Sequence, residues 1–99
     1  SIYRVSSSGP LSADFGLRDQ LRRAAVSVCS NIAEGDARQT DQESEQFFYT
    51  AKGSLAEMSA QLDIALEVHS LPYATVAPLI AECEAIGAML QAIITHRRQ

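Results

Sequence analysis

From Phe15 to Arg38 the chain reads FGLRDQLRRAAVSVCSNIAEGDAR. On a helix advancing about 100° per residue, this stretch carries two stripes instead of one. Leu17, Leu21, Ala24, Ala25, Val28 and Ile32 share one face and form an ordinary core stripe. Gln20, Arg23, Ser27, Ser30, Asn31, Glu34 and Arg38 fall together on the face beside it. A solvated helix face is normally built from Lys and Glu, which are good helix formers. Ser and Asn compete for backbone hydrogen bonds and are poor ones. A line of short or fork-shaped polar groups therefore predicts a fitted polar seam.

The periodicity continues down the chain. Ser12 or Asp14 supplies a cap for a helix over about 15–37, with Gly35 near its end and Arg38 at its negative pole. Thr40-Asp41-Gln42-Glu43 reads as a capping box that starts a helix over about 41–71, which Pro72 stops. Its core stripe is Phe47, Ala51, Leu55, Met58, Leu62, Ala65 and His69, widened by Phe48 and Leu66. Thr75 caps a last helix over about 76–97, with Pro78 tolerated in its first turn. Val76, Leu79, Ile80, Cys83, Ile86, Leu90, Ile93 and Ile94 give it steps of three and four, the spacing of a bundle seam. The breaks of weight are Gly9-Pro10, Gly35 and Pro72, and nothing alternates with period two for long enough to make a strand. Ninety-nine residues rich in Ala, Leu and Ile, with no Trp, predict a single all-α domain, an antiparallel helical bundle.

The run FGL..Q.RRAA.S..SNIAEG...R, followed by F...A.GS..E...QL (Phe47, Ala51, Gly53, Ser54, Glu57, Gln61, Leu62), resembles the four-helix-bundle proteins encoded by intervening sequences in large-subunit ribosomal RNA genes. The accessory protein of diversity-generating retroelements is similar. The likeness spans about Phe15 to Leu62, and residues 63–99 add a compatible helix. It implies an up-and-down four-helix bundle whose first helix is largely missing here, with residues 1–7 as its remnant. It also implies a homo-oligomer, a pentamer in the retroelement protein, with nucleic acid and a reverse transcriptase as partners. Most members of the family have no assigned activity. Cys29 stands where such proteins often carry proline, and only Ile2, Tyr3, Arg4 and Val5 stand where the long first helix would end. The chain begins without Met and is expected to be a fragment.

The net charge of −4 argues against a chain built throughout for phosphate backbones. The charge is uneven. Residues 1–40 hold five Arg against four acidic groups, net +1, and residues 41–71 hold one Lys against six, net −5; residues 72–99 balance at two and two. Complementary helices within one bundle account for this. Cys29 and Cys83 are distant and set among apolar residues, so both are expected to be buried reduced thiols, which points to the cytoplasm. Glu82, Glu84 and Gln91 interrupt the best apolar run, so no membrane span is expected. Neither His69 nor His96 follows a Glu by three positions, as dinuclear bundle sites require, and no zinc spacing, phosphate loop or nucleophile elbow occurs. His69 reads as a hydrogen-bonded core histidine and His96 as a charge suited to a helix C-terminus. No enzyme activity, cofactor or metal is expected.

Arg18, Arg22, Arg23 and Arg38 are the cluster able to contact phosphates, with Asp19 and Asp36 diluting it. A monomer would bind nucleic acid poorly, whereas a ring of copies would repeat the cluster into a continuous surface. The leading expectation is a non-enzymatic homo-oligomeric scaffold or adaptor with RNA, DNA or a nucleoprotein such as a reverse transcriptase complex as partner. Its rival is a purely protein-binding oligomer without nucleic-acid contact, which the acidic residues 41–71 favour. Antiparallel packing about a turn near Gln39 sets Arg23 against Glu57, Gln20 against Gln61, Ser27 against Ser54 and Asn31 against Thr50, with Arg23 and Glu57 as an ion pair. Gly53 is expected at a close helix approach, because an exposed mid-helix glycine costs about 1 kcal/mol. Tyr49, Ala56 and Ala60 give the same helix a second, weakly apolar side suited to an interface.

Overall fold

The computed structural model describes residues 1–7 and 14–97. Among the described residues it is all-α, with four helices and no strand. A short helix α1 (Ile2–Ser6) precedes three long ones, α2 (Phe15–Ala37), α3 (Asp41–His69) and α4 (Tyr73–Arg97). The particle measures 45 × 21 × 16 Å, its long dimension set by α3. The Gly9-Pro10 break and Ser12 lie outside the described residues.

Local chemistry sets the helix ends. The Asp14 carboxylate accepts the backbone N–H of Leu17 at 3.1 Å and the Thr40 hydroxyl accepts that of Glu43 at 3.2 Å, so each cap satisfies an otherwise unpaired donor. α3 ends two residues before the expected position. Ser70 takes the left-handed conformation at φ 51°, which turns the chain before Pro72. α4 starts earlier than expected, at Tyr73. The Pro72 carbonyl accepts from the Thr75 N–H at 3.0 Å, so Pro72 and not Thr75 opens the helix and Pro78 falls beyond its first turn.

α3 is the central helix, with α2 along one side and α4 along the other, and α1 rests on α2. Leu21, Ala24 and Val28 from α2 meet Ala51, Leu55, Met58, Leu62 and Ala65 from α3 and Val76, Leu79, Cys83, Leu90 and Ile94 from α4. In α3 the buried line runs through Ser44 and Phe48, leaving Phe47 half-buried, so the aromatic anchor is one residue later than the pattern suggested. The cause is Gly35. A Cβ there would lie 2.6 Å from the Phe48 ring, and the Ser44 hydroxyl donates to the Gly35 carbonyl at 2.6 Å. Gly53, expected at a close approach, has open space around it within this chain.

Two further expectations change. Val28 holds the core line of α2, so Cys29, one step round the helix, is exposed; Cys83 is buried, and burial pushes its thiol pKa up. Despite its two glutamates, α4 is long and apolar enough from Tyr73 to His96 to cross a membrane by length and composition alone. It is also a core helix, although only 22% of its most apolar stretch is buried.

His69 is hydrogen-bonded as expected, but it is half-buried at the end of α3 and not part of the core. Its Nε2 lies 2.8 Å from Asp14 Oδ2, tying the end of α3 to the start of α2. The Asp14 carboxyl titrates below its ordinary 3.8, first because it accepts the Leu17 N–H and second because of His69. A lowered folded pKa means that the carboxylate stabilises fully above 3.8 and loses its contribution as pH falls through the folded value. The stability advantage of the wild type over Asp14→Asn is expected to shrink as pH drops below 3.8; an advantage constant across that range in thermal unfolding refutes this. The glycines give an opposite pair. Gly53→Ala should stabilise by up to about 1 kcal/mol, whereas Gly35→Ala should destabilise by about 1–2 kcal/mol because the Phe48 ring cannot yield freely. A Gly35→Ala chain more stable than wild type in urea would contradict the close packing.

Candidate functional site

The polar stripe of α2 faces α3 across a cleft of about 430 Å³. Gln20, Arg23, Ala24 and Ser27 form one wall and Ser54, Glu57 and Gln61 the other. The expected register is therefore present, but its pairs behave differently. Ser27 and Ser54 share a hydrogen bond at 2.8 Å. Asn31 does not reach Thr50; its side-chain amide donates to the Ser27 carbonyl at 2.8 Å and the Ser27 hydroxyl at 3.1 Å, while Thr50 donates to its own helix at the Gln46 carbonyl. Arg23 and Glu57 line the same cleft without forming an ion pair, and among the described residues neither has a hydrogen-bond or ring partner. Gln61 Oε1 is buried and meets no donor. Two helices in this register leave room that the long side chains do not close.

The other three arginines are engaged within the chain. Arg22 donates from Nε to the Ser6 hydroxyl at 2.9 Å and from Nη2 to that of Ser7 at 3.3 Å, and its guanidinium lies 5.0 Å from the Tyr3 ring centre. It holds α1 on α2. Arg18 lies 4.5 Å from the Phe15 ring and 3.3 Å from Asp19. Arg38 lies 4.6 Å from the Phe47 ring and pairs with Glu34, which takes Glu34 out of the seam. Arg22 and Arg23 border one shallow hollow together with Asp19, so the arginine cluster is only partly gathered.

A second feature lay outside the sequence reading. Between α2 and α4 runs an apolar groove, floored by Phe48, Leu55 and Met58 of α3, in two sections of about 400 and 460 Å³ that meet at Cys29. Exposed Val26, Cys29 and Ala33 form the α2 rim and exposed Ile86 and Ile93 the α4 rim. Ile2 and Tyr3 line one end. The signal available in the sequence was the width of the α4 apolar stripe, too broad for one neighbour to cover. Among the described residues no group of three or more His, Cys, Asp or Glu is placed to hold a metal ion.

Together these features define an all-α helical-bundle protein with a polar interhelical cleft and an uncovered apolar groove. The chain matches the 23S rRNA-intervening sequence protein family over residues 1–92 and belongs to that family. No curated protein and no solved structure matches it.

The Ser27–Ser54 contact is open to a double-mutant cycle. Alanine at each position, singly and together, should reveal a coupling of about 1 kcal/mol, the net worth of a typical hydrogen bond. Additive losses would mean that the hydroxyls do not meet.

Proposed function

We propose that this protein is a non-enzymatic helical scaffold of the cytoplasm that assembles with copies of itself through the α2–α4 groove and the adjoining side of α4. One observation carries the reading: the uncovered apolar surface of α4. Ile86, Met89 and Ile93 recur at the spacing of a single helix face, and Met89 is 63% exposed. An apolar face beside an apolar groove fits a helix laid into that groove, and a second copy supplies such a helix. The resemblance noted above adds a pentamer as the expected closed ring.

A second reading adds nucleic acid or a nucleoprotein such as a reverse transcriptase complex. It is favoured by Arg23, which has no partner among the described residues and stands beside Arg22. The ring and carboxylate contacts of Arg18 and Arg38 weigh against it in a single copy, as does the net charge of −4. Assembly would repeat the arginines around the particle and let several weak contacts add.

Light scattering on the wild type should give a closed oligomer, and Met89→Glu with Ile93→Glu should give a folded monomer. A monomeric wild type overturns the scaffold. RNA and DNA titrations at two salt concentrations decide the second reading. Binding by the oligomer that weakens with salt supports it, and an oligomer that binds neither leaves the protein-only scaffold.

A further inference from the structure

The exposed side of α4 has the same character in both directions from Met89. At about 100° per residue, Ala85, Ile86, Met89, Ala92 and Ile93 fall on one arc about 120° wide, and all five are exposed. Three lines run along this arc. Ile86 and Ile93 form the edge toward the groove, which both of them line. Ala85 and Ala92, seven residues apart, form the other edge. The middle line is Glu82, Met89 and His96; the two end groups are exposed and stand seven residues to either side of the methionine. Packing on α3 does not require this arrangement, since Val76, Leu79, Cys83, Leu90 and Ile94 occupy a different side of the helix.

We infer that α4 of a second copy covers this face, antiparallel to the first, about a two-fold axis at Met89. Such an axis reverses position along the helix and keeps each edge on its own side. Ile86 then lies beside the partner's Ile93, Ala85 beside the partner's Ala92, and the two Met89 side chains meet at the centre. Alanine against alanine lets the helix axes approach on one edge, and isoleucine against isoleucine fills the wider edge over the mouth of the groove. At each end Glu82 meets the partner's His96, whose ring N–H donates to a carboxylate whether or not the ring is charged. An in-register parallel pairing would set carboxylate against carboxylate, so the end groups select the antiparallel one. The inference rests on the self-assembly proposed above and names its contact. A two-fold contact closes at two copies, so the expected particle is a dimer and not a fivefold ring.

Light scattering over a dilution series reads the mass and the dissociation constant together. The wild type should have the mass of two copies. Glu82→Lys and His96→Glu should each weaken the dimer about fivefold or more, because the symmetry breaks the end contact twice. The two substitutions combined should restore the wild-type dissociation constant, since the exchanged charges again face each other across the axis. Within one chain the two positions are fourteen residues apart, about 21 Å along α4, so restoration can arise only between antiparallel copies. Recovery in the double variant keeps the test decisive should a single variant be less stable. Weakening by both single variants without recovery in the double one overturns the pairing. A mass of five copies, or an oligomer indifferent to all three variants, also overturns it and leaves the scaffold reading in place. A monomeric wild type overturns both.

Discussion

The approach of Gly35 to Phe48 is the contact on which the rest of the arrangement depends. Only a residue without a Cβ lets the end of α2 come down onto an aromatic ring of α3, and the Ser44 hydroxyl takes up the Gly35 carbonyl at the same point. With one end of the antiparallel pair pinned, every later residue of α3 has a fixed opposite number on α2. Ser27 therefore meets Ser54, and Arg23 and Gln20 come to stand over Glu57 and Gln61. At the far end the contact between His69 and Asp14 closes the same pair. The cleft is thus a consequence of register: helices locked at both ends and joined by small hydroxyls near the middle leave a space wherever their long polar side chains do not interlock.

The other side of α3 follows a different logic. α4 packs on it through Val76, Leu79, Cys83, Leu90 and Ile94, but an apolar stripe wider than one contact line cannot be covered by one neighbour. The surplus, Ile86, Met89 and Ile93, stays in the open together with the rim of α2. At about 25 cal/mol for each Å² removed from water, covering such a surface yields more than the polar seam can, because Ser–Ser and Asn–Ser bonds replace bonds to water of similar strength. The uncovered apolar surface and the polar cleft therefore sit on opposite flanks of α3.

Much of this was legible in the residues and some was not. The bounds of α2 and the start of α3 followed from Asp14, Thr40 and the run to Ala37, because caps act through neighbours three residues away. The facing of α2 and α3 polar groups followed from helix geometry alone. Apart from the helix ends set by Ser70 and Pro72, the misjudged items depended on how a neighbouring helix approaches. Phe48 displaces Phe47 from the core because Gly35 lies over it, and Cys29 is exposed because Val28 holds the core line and the groove between α2 and α4 is uncovered there. Gly53 and Gly35 are equally anomalous as letters in a helical run; only the neighbour distinguishes a close contact from open space. The absent Arg23–Glu57 ion pair has the same origin. Register sets which residues face each other, while the separation of the helix axes decides whether the charged tips meet.

The arginines show how far charge counting can mislead. Four guanidinium groups on one helix and its end look like a phosphate-binding surface. Three of them lie over aromatic rings, at 4.5 Å from Phe15, 5.0 Å from Tyr3 and 4.6 Å from Phe47, and also hold a carboxylate or hydroxyl. A guanidinium so placed would have to leave those contacts to meet a phosphate, and on a chain of net charge −4 the long-range field does not favour the exchange. Arg23 alone of the four has nothing to leave among the described residues. Each phosphate neutralised on a duplex contributes about 0.9 to the slope of log affinity against log salt. One copy contributing one arginine would therefore bind nucleic acid with hardly any salt dependence, and a steep slope would have to arise from several copies acting at once. Any nucleic-acid contact by this chain would therefore have to depend on assembly, since only several copies present several unengaged guanidinium groups at once.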